Sequence, residues 1–296
     1  MKRTMLIRGL AVAAALLLSA TTASVATAAG RPEHANPRYV ALGDSFASGY
    51  GAGSYLDACG RSLLGYPALL AEGNSYQLDF QACAGATTDD VLTKQLGTLD
   101  ARTELVTITI GGNDAGFSSL VAACGSFLAN ECESLVGWAE ATTSAVLPGR
   151  LDALFADIRL KAKRAKVIVT NYPHLFNGTN CGSLTFTAGG MAALNHGADV
   201  LSDLLSAAAA RAGFEFADVR RSFAGHAACD TVPWINAFDA AHLNDAYHPN
   251  AAGYAGGYEP AVAGVLDVKK GGGPMSVTTG GITSSDTTRG QVRITR

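Results

Sequence analysis

The sequence predicts an α/β protein, a three-layer α/β/α sandwich around a mostly parallel sheet. Three observations carry that expectation. Short apolar, β-branched runs alternate with longer amphipathic segments along most of the chain, the order that buries a parallel sheet under helices on both sides. Several of those runs end in glycine. The apolar fraction is 48% and only 16% of residues are charged, against roughly 25% in an average soluble domain, so disorder is excluded.

The first 28 residues stand apart from the fold. Lys2, Arg3 and Arg8 precede an apolar run over 10–18, and Ala26-Thr27-Ala28 fits small-x-small cleavage. This is the pattern of a secretory signal peptide. The run is shorter than the ~20 residues a membrane span needs, so no stable membrane anchor is expected. Its removal takes away three basic groups and no acidic one, moving the formal net charge from -3 to -6. An acidic chain is a poor candidate for nucleic-acid binding, which rests on phosphate neutralisation.

Residues 38–43 read as a buried strand ending at Gly43. A Gly-rich loop over 51–64 follows, then a helix from Tyr66 that stops at 72–74. Residues 76–83 alternate as a strand. Thr87 or Thr88 caps a helix to Leu96, with Asp89 and Asp90 in its first turn, where acids favour the positive end of the dipole. Residues 105–110 form the clearest strand, bounded by Gly111-Gly112. A helical insertion over 115–147, split between Cys124 and Cys132, is expected to end before a new amphipathic helix that starts at Pro148 or Arg150 and reaches about Arg164. Strands at 166–170 and 214–217 flank a loop (173–186) and a helix (about 190–210). Residues 220–249 are irregular, and a last helix begins at Asn250 or Ala251 and runs to about Val268. One large α/β domain thus covers 29–268. Residues 269–296, rich in Gly, Ser and Thr, read as a flexible tail.

Six cysteines, Cys59, Cys83, Cys124, Cys132, Cys181 and Cys229, follow the leader. In an exported chain an even number reads as disulfides, and six allow 15 pairings. Neighbours in order (59–83, 124–132, 181–229) are preferred, because the segments between them are short. No CxxC or clustered Cys/His spacing suggests a metal.

Four short blocks lie just past predicted strands, where open α/β sheets bind ligands. Gly43-Asp44-Ser45 offers a hydroxyl. In Cys83-Ala84-Gly85, Gly85 lets the backbone approach a ligand and present its N–H. In Gly111-Gly112-Asn113-Asp114, Asn113 is an amide donor of the kind that stabilises an oxyanion. In Asp245-Ala246-Tyr247-His248-Pro249, His248 is a candidate general base, and Asp245 stands three residues earlier, in reach of the ring. Asp239 and His242 repeat that spacing without the following proline and helix start, so His248 is preferred.

Taken together and in this order, the four blocks resemble the SGNH (GDSL) hydrolase superfamily, and among its members the secreted actinobacterial lipases and esterases. The resemblance spans Tyr39 to about Tyr254. It implies a flavodoxin-like SGNH fold with three disulfides, and a secreted, extracellular carboxylic-ester hydrolase acting on an ester or lipid; a monomer is expected. It implies Ser45 as nucleophile, His248 as base and Asp245 as third triad member, although in some secreted relatives a backbone carbonyl replaces the acid. The Ser45 N–H, the Gly85 N–H and Asn113 would form the oxyanion hole. Such chemistry requires no metal or organic cofactor. Asp44 and Asp114 are expected to brace turns. Apolar residues of 46–56 and of the insertion (Phe117, Leu120, Phe127, Leu128, Leu135, Trp138) are candidates to line an acyl groove. Phospholipase A-type or carbohydrate deacetylase activity on the same scaffold, and a non-enzymatic binding protein, are the alternatives.

Overall fold

The computed structural model describes residues 36–126, 128–181, 184–266, 276–279 and 291–292. The predicted leader lies outside them. In chain order the elements are β1 (Arg38–Gly43), α1 (Ser45–Ser48), α2 (Tyr66–Asn74), β2 (Gln77–Phe80), α3 (Thr88–Asp90), β3 (Thr103–Thr109), α4 (Phe117–Cys124), α5 (Cys132–Lys161), β4 (Lys166–Thr170), α6 (Ala188–Ala212), β5 (Glu215–Ala217), α7 (Ala251–Gly253), α8 (Glu259–Leu266), β6 (Ser276–Thr279) and β7 (Gln291–Val292). No helix among the described residues is long and apolar enough to cross a membrane.

The sheet order is β5-β4-β3-β1-β2-β6-β7. Every pairing is parallel except β6 with β7. The first five strands thus follow the flavodoxin-like order, which reverses direction between β1 and β3 and opens a crevice at their carboxyl ends. The α/β/α sandwich read from strand and helix alternation is the fold observed. β1 and β3 are buried almost throughout, which is why they read as continuous apolar runs rather than alternating ones.

Three elements depart from the sequence reading. α5 runs unbroken through Pro148. An interior proline costs a helix about 3 kcal/mol, but the buried residues Val136, Ala139, Thr143, Leu147, Leu151, Leu154 and Ile158 continue in steps of three and four across it. Packing of that stripe outweighs the local break. The helix predicted to Leu96 is one α turn, capped by a reciprocal Thr87–Asp90 box, followed by a π turn over 91–95 and a 3₁₀ turn over 96–98. The last helix likewise passes through a π turn at 254–258.

The predicted flexible tail contains the two strands β6 and β7, and the rest of it lies outside the described residues. Ser276-Val-Thr-Thr279 is β-branched and adds to the open edge of β2, a template that favours pairing. The three disulfides join neighbours in order: Cys59–Cys83, Cys124–Cys132 and Cys181–Cys229.

Candidate active site

At the reversal point, the chain leaves β1 through Gly43, whose φ of 123° places it where a Cβ would strike the Thr109 carbonyl at 2.1 Å. Gln95, buried beneath the turn, clasps it from both sides. Its Oε1 accepts the Gly43 N–H (2.8 Å) and its Nε2 donates to the Gly43 carbonyl (2.9 Å). Asp44 then caps α1, accepting the Phe46 N–H at 3.0 Å. Ser45 follows as the first helical residue, where the N–H has no intrahelical partner.

Asp44 is 1% exposed. Its carboxylate accepts the Tyr172 hydroxyl at 2.5 Å, and that same oxygen accepts the Gly112 N–H at 2.9 Å. Tyr172 therefore bridges the turn after β1 to the turn after β3. Burial pushes the Asp44 carboxyl up to about 7, against the Tyr172 and Phe46 hydrogen bonds, which hold it down.

The turn after β3 presents Asn113 and Asp114. The Asn113 Nδ2 donates to the Ala86 carbonyl (2.9 Å), tying this turn to the one that carries Gly85. Asp114 accepts the Thr88 N–H and hydroxyl (2.9 and 2.6 Å). Both Asp44 and Asp114 thus fix turns and α-helical starts, as expected from the sequence. Gly85 is exposed with φ 81°. The N–H groups on either side of it bond to Cys59 and Cys83 carbonyls. Gly85 lines a different cleft from the one that holds Ser45, Asn113 and His248, and the Asn113–Ala86 bond links their walls.

From the far end of the chain, His248 brings its Nε2 to 2.8 Å from the Ser45 Oγ. Its ring packs against Phe46 and Tyr50, at centroid distances of 5.1 and 5.2 Å. The other ring nitrogen, Nδ1, lies 3.0 Å from the Ala246 carbonyl. A carbonyl only accepts, so Nδ1 carries the proton and Nε2 offers its lone pair to the hydroxyl. Burial pushes the imidazolium down to about 4, opposed by the Ala246 carbonyl and the Asp245 charge.

Asp245 is not the partner of this ring. Its carboxylate accepts the Tyr55 hydroxyl instead. The backbone explains why. The His248 N–H donates to the Asp245 carbonyl (3.2 Å), Ala246 sits at φ -55°, ψ 136° and Tyr247 at φ 58°, which together make a type II turn. Such a turn asks for glycine or asparagine at the Tyr247 position. Here the strain is held by burying the Tyr247 ring against Phe176 and Phe186. The turn aims the Ala246 carbonyl at the imidazole and the Asp245 side chain away from it. His242, the second Asp-x-x-His histidine, is on the surface, paired with Asp239 at 2.8 Å.

Tyr172, Gln95, Tyr55 and Tyr247 were not singled out from the sequence. Tyr172 had a usable signal, since it stands two residues past β4 at the same sheet end. The others had none, because their roles depend on contacts 52 to 190 residues away.

Ser45, His248, Asn113 and Tyr247 line a cleft of about 300 Å³. A serine hydroxyl bonded to a neutral imidazole, beside an amide donor at the crevice of a doubly wound sheet, defines the class of serine acyl hydrolases. Residues 41–255 match the model of the GDSL-like Lipase/Acylhydrolase family. The chain is 42% identical to Lipase 1 of Streptomyces coelicolor, over 84% of this chain and 94% of that protein. It is 39% identical to a lipase of Streptomyces rimosus, over 86% and 97%. Among solved structures, phospholipase A1 from Streptomyces albidoflavus NA297 superposes with a TM-score of 0.74 at 42% identity, covering 78% of this chain and 99% of that one. The protein belongs to the GDSL-like lipase/acylhydrolase family and is a carboxylic ester hydrolase.

Proposed function

We propose that the protein is an exported lipid-ester hydrolase that works through a Ser45–His248 dyad, with the Ala246 carbonyl in the place of a triad acid. The observation that carries this reading is the 2.8 Å contact between the Ser45 Oγ and the His248 Nε2. His248 takes the hydroxyl proton as the Ser45 oxygen attacks the ester carbonyl. The imidazolium so formed is steadied at Nδ1 by the Ala246 carbonyl. The oxygen that gains charge is met by the Ser45 N–H, the Gly85 N–H and the Asn113 Nδ2. One Asn113 amide hydrogen is already spent on Ala86, which fixes the plane of the amide while the second remains for the substrate. The alcohol leaves with the proton from His248, and water repeats the sequence on the acyl-enzyme.

The relatives support a lipid substrate and an extracellular site of action. Two are lipases, one is a phospholipase A1, and the Streptomyces rimosus structure is described as an extracellular lipase, 38% identical with a TM-score of 0.74. The leader pattern of residues 1–28 supports export, and nothing in the reaction calls for more than one chain.

The test is turnover of p-nitrophenyl butyrate, triacylglycerol and phosphatidylcholine by the mature protein. Ser45→Ala and His248→Ala should each lose on the order of 10⁴-fold or more in kcat while the fold is retained. His242→Ala should behave as wild type. A Ser45→Ala protein with wild-type turnover would end the proposal, and an inactive His242→Ala beside an active His248→Ala would transfer the base.

A further inference from the structure

One peptide group aims the imidazole of His248, the amide between Ala246 and Tyr247. Its carbonyl faces the ring Nδ1 at 3.0 Å, and its N–H donates to the Asn236 carbonyl at 2.8 Å. The two ends of an amide turn together. Rotating ψ of Ala246 and φ of Tyr247 in concert would convert the type II turn over 245–248 to type I, in which both central residues have negative φ. That rotation relieves the left-handed φ of 58° at Tyr247. It also carries the Ala246 carbonyl off the ring.

Asn236 bonds to three residues of this turn. Its N–H donates to the His248 carbonyl (2.9 Å) and its carbonyl accepts the Tyr247 N–H, beside the antiparallel bridge of Ile235 with Pro249. Its side-chain Nδ2 donates to the Asp245 carbonyl (3.3 Å) and, at 2.9 Å, to the Gly51 carbonyl. The last contact reaches the loop that leaves α1, where the Tyr50 N–H bonds back to the Ser45 carbonyl at 3.0 Å. A Cβ on Gly51 would meet the Pro249 carbonyl at 2.5 Å and the His248 Cβ at 2.7 Å, so the two segments lie in contact. The Gly51 N–H completes the join. It donates to the Tyr55 hydroxyl at 2.9 Å, and that hydroxyl donates to the Asp245 carboxylate.

We propose that Asn236 is a positioning residue for the base: its amide ties the His248 turn to the loop leaving the nucleophile, and so keeps the Ala246 carbonyl on the imidazole. The assignment rests on the reading of His248 as a general base with a carbonyl partner, and adds what holds that partner in place. Asn236 does not line the cleft of Ser45 and His248, so its effect passes through the backbone.

The chemistry at this position is specific. Both partners of Nδ2 are carbonyl oxygens, which only accept. An amide supplies two hydrogens to them. Aspartate has the same shape and, when ionised, none. Asn236→Asp thus removes the donors and keeps the volume, while Asn236→Ala removes both.

Wild type and the two variants are compared on p-nitrophenyl butyrate, with folding checked by circular dichroism. In both variants kcat should fall roughly 10- to 100-fold, as displacement of a reacting group does. KM should stay within about twofold, the pattern of a contact that matters only in the transition state. The proton NMR signal of the His248 Nδ1–H, assigned by its absence from His248→Ala, should be lost to exchange with water. A kcat within about twofold of wild type in either folded variant overturns the proposal, and so does an Nδ1–H signal that survives both substitutions.

A second comparison isolates the turn. Glycine at 247 adopts the left-handed conformation freely, which shifts the balance between the two turn types by about 5- to 30-fold. The kcat loss from Asn236→Ala should therefore shrink by about fivefold or more in a Tyr247→Gly background. An asparagine that merely stabilised the fold would cost as much or more there, since Tyr247→Gly also gives up a buried ring. An undiminished loss overturns the proposal.

Should no Asn236 variant fold, hydrogen exchange of the wild-type Tyr247 N–H gives the answer. Protection of that amide supports the clamp, and exchange at the rate of a free peptide overturns it. The catalytic reading fails separately, if His248→Ala keeps wild-type turnover.

Discussion

Ser45 and His248, the proposed nucleophile and base, reach the same cleft by different physical means. Ser45 emerges from the sheet. Its turn is held by the Gln95 clasp on Gly43, the Asp44–Tyr172–Gly112 bridge and the Asp44 N–H bond to the Thr109 carbonyl at 3.0 Å. All of these are buried, and each fixes backbone at a strand end. His248 emerges from an irregular stretch that lacks strand or helix from 218 to 250 apart from one 3₁₀ turn. It is held by local turn geometry, by the left-handed Tyr247 and by loop-to-loop bonds, such as Asn236 Nδ2 to the Gly51 carbonyl at 2.9 Å. The Cys181–Cys229 bridge ties that stretch back to the loop after β4. A hydroxyl can be aimed by a rigid sheet. A ring that must face both a hydroxyl and its own backbone is aimed here by a strained turn, which costs about 1–2 kcal/mol and is offset by burying an aromatic ring.

Four measurements separate the two sides, from the largest effect to the smallest. Asn113→Ala removes the proposed oxyanion donor and also the tie between the β3 turn and the Gly85 turn. A drop in kcat of roughly 10²–10³ is expected, with KM changed little. An unchanged kcat would take Asn113 out of the reaction. Tyr172→Phe strips the bridge on the nucleophile side. It leaves the Gly112 N–H and the Asp44 carboxyl short of a partner, which should cost about 1–3 kcal/mol in chemical denaturation. Wild-type stability would mean that the bridge contributes nothing net.

Asp245→Asn probes the base side. Because the Ala246 carbonyl and not Asp245 faces Nδ1, kcat should fall by less than about 10-fold, where an acid in direct contact with the ring is worth about 10⁴. A loss near the larger figure would restore Asp245 to a triad.

The smallest effect is in pH. His248 has its pKa lowered from 6.5 to about 4 by burial, so the ring stays neutral in the folded protein well below its ordinary range. Between pH 7 and 5.5, kcat/KM should change by less than about twofold, where a histidine titrating at 6.5 would lose nearly 10-fold. Asp44, raised to about 7, is protonated over the lower part of this range. The lowered His248 pKa contributes stability that is full above pH 6.5 and lost as pH falls through about 4. An acid limb near 6.5 in the pH–rate profile would contradict the burial of the ring.

Much of this was legible in the sequence because it is local. The runs at 38–43, 105–110 and 166–170 are strands in the structure, since a strand buried on both faces must be apolar at every position. Gly43, Gly85 and Gly111 mark the strand-end turns because φ is positive at each. Ser45, Asn113 and His248 could be picked out by their chemistry and their place after strands. The disulfide partners followed from spacing. The helix start expected at Pro148 or Arg150 is absent, because the stripe that α5 buries outweighs the local propensity of proline to break a helix. Asp245 was placed on the imidazole because a spacing of three residues says that a side chain can reach, and not whether the turn points it there.

Residue chemistry and hydrophobic period thus settled the fold class, the chain positions of the reactive groups and the family, since each is written in short stretches of the sequence. Tertiary structure alone decided what faces the second nitrogen of His248 and which tyrosine locks Asp44. Those outcomes depend on the sign of one backbone dihedral and on contacts between segments far apart in the chain, and neither leaves a periodic trace in the sequence.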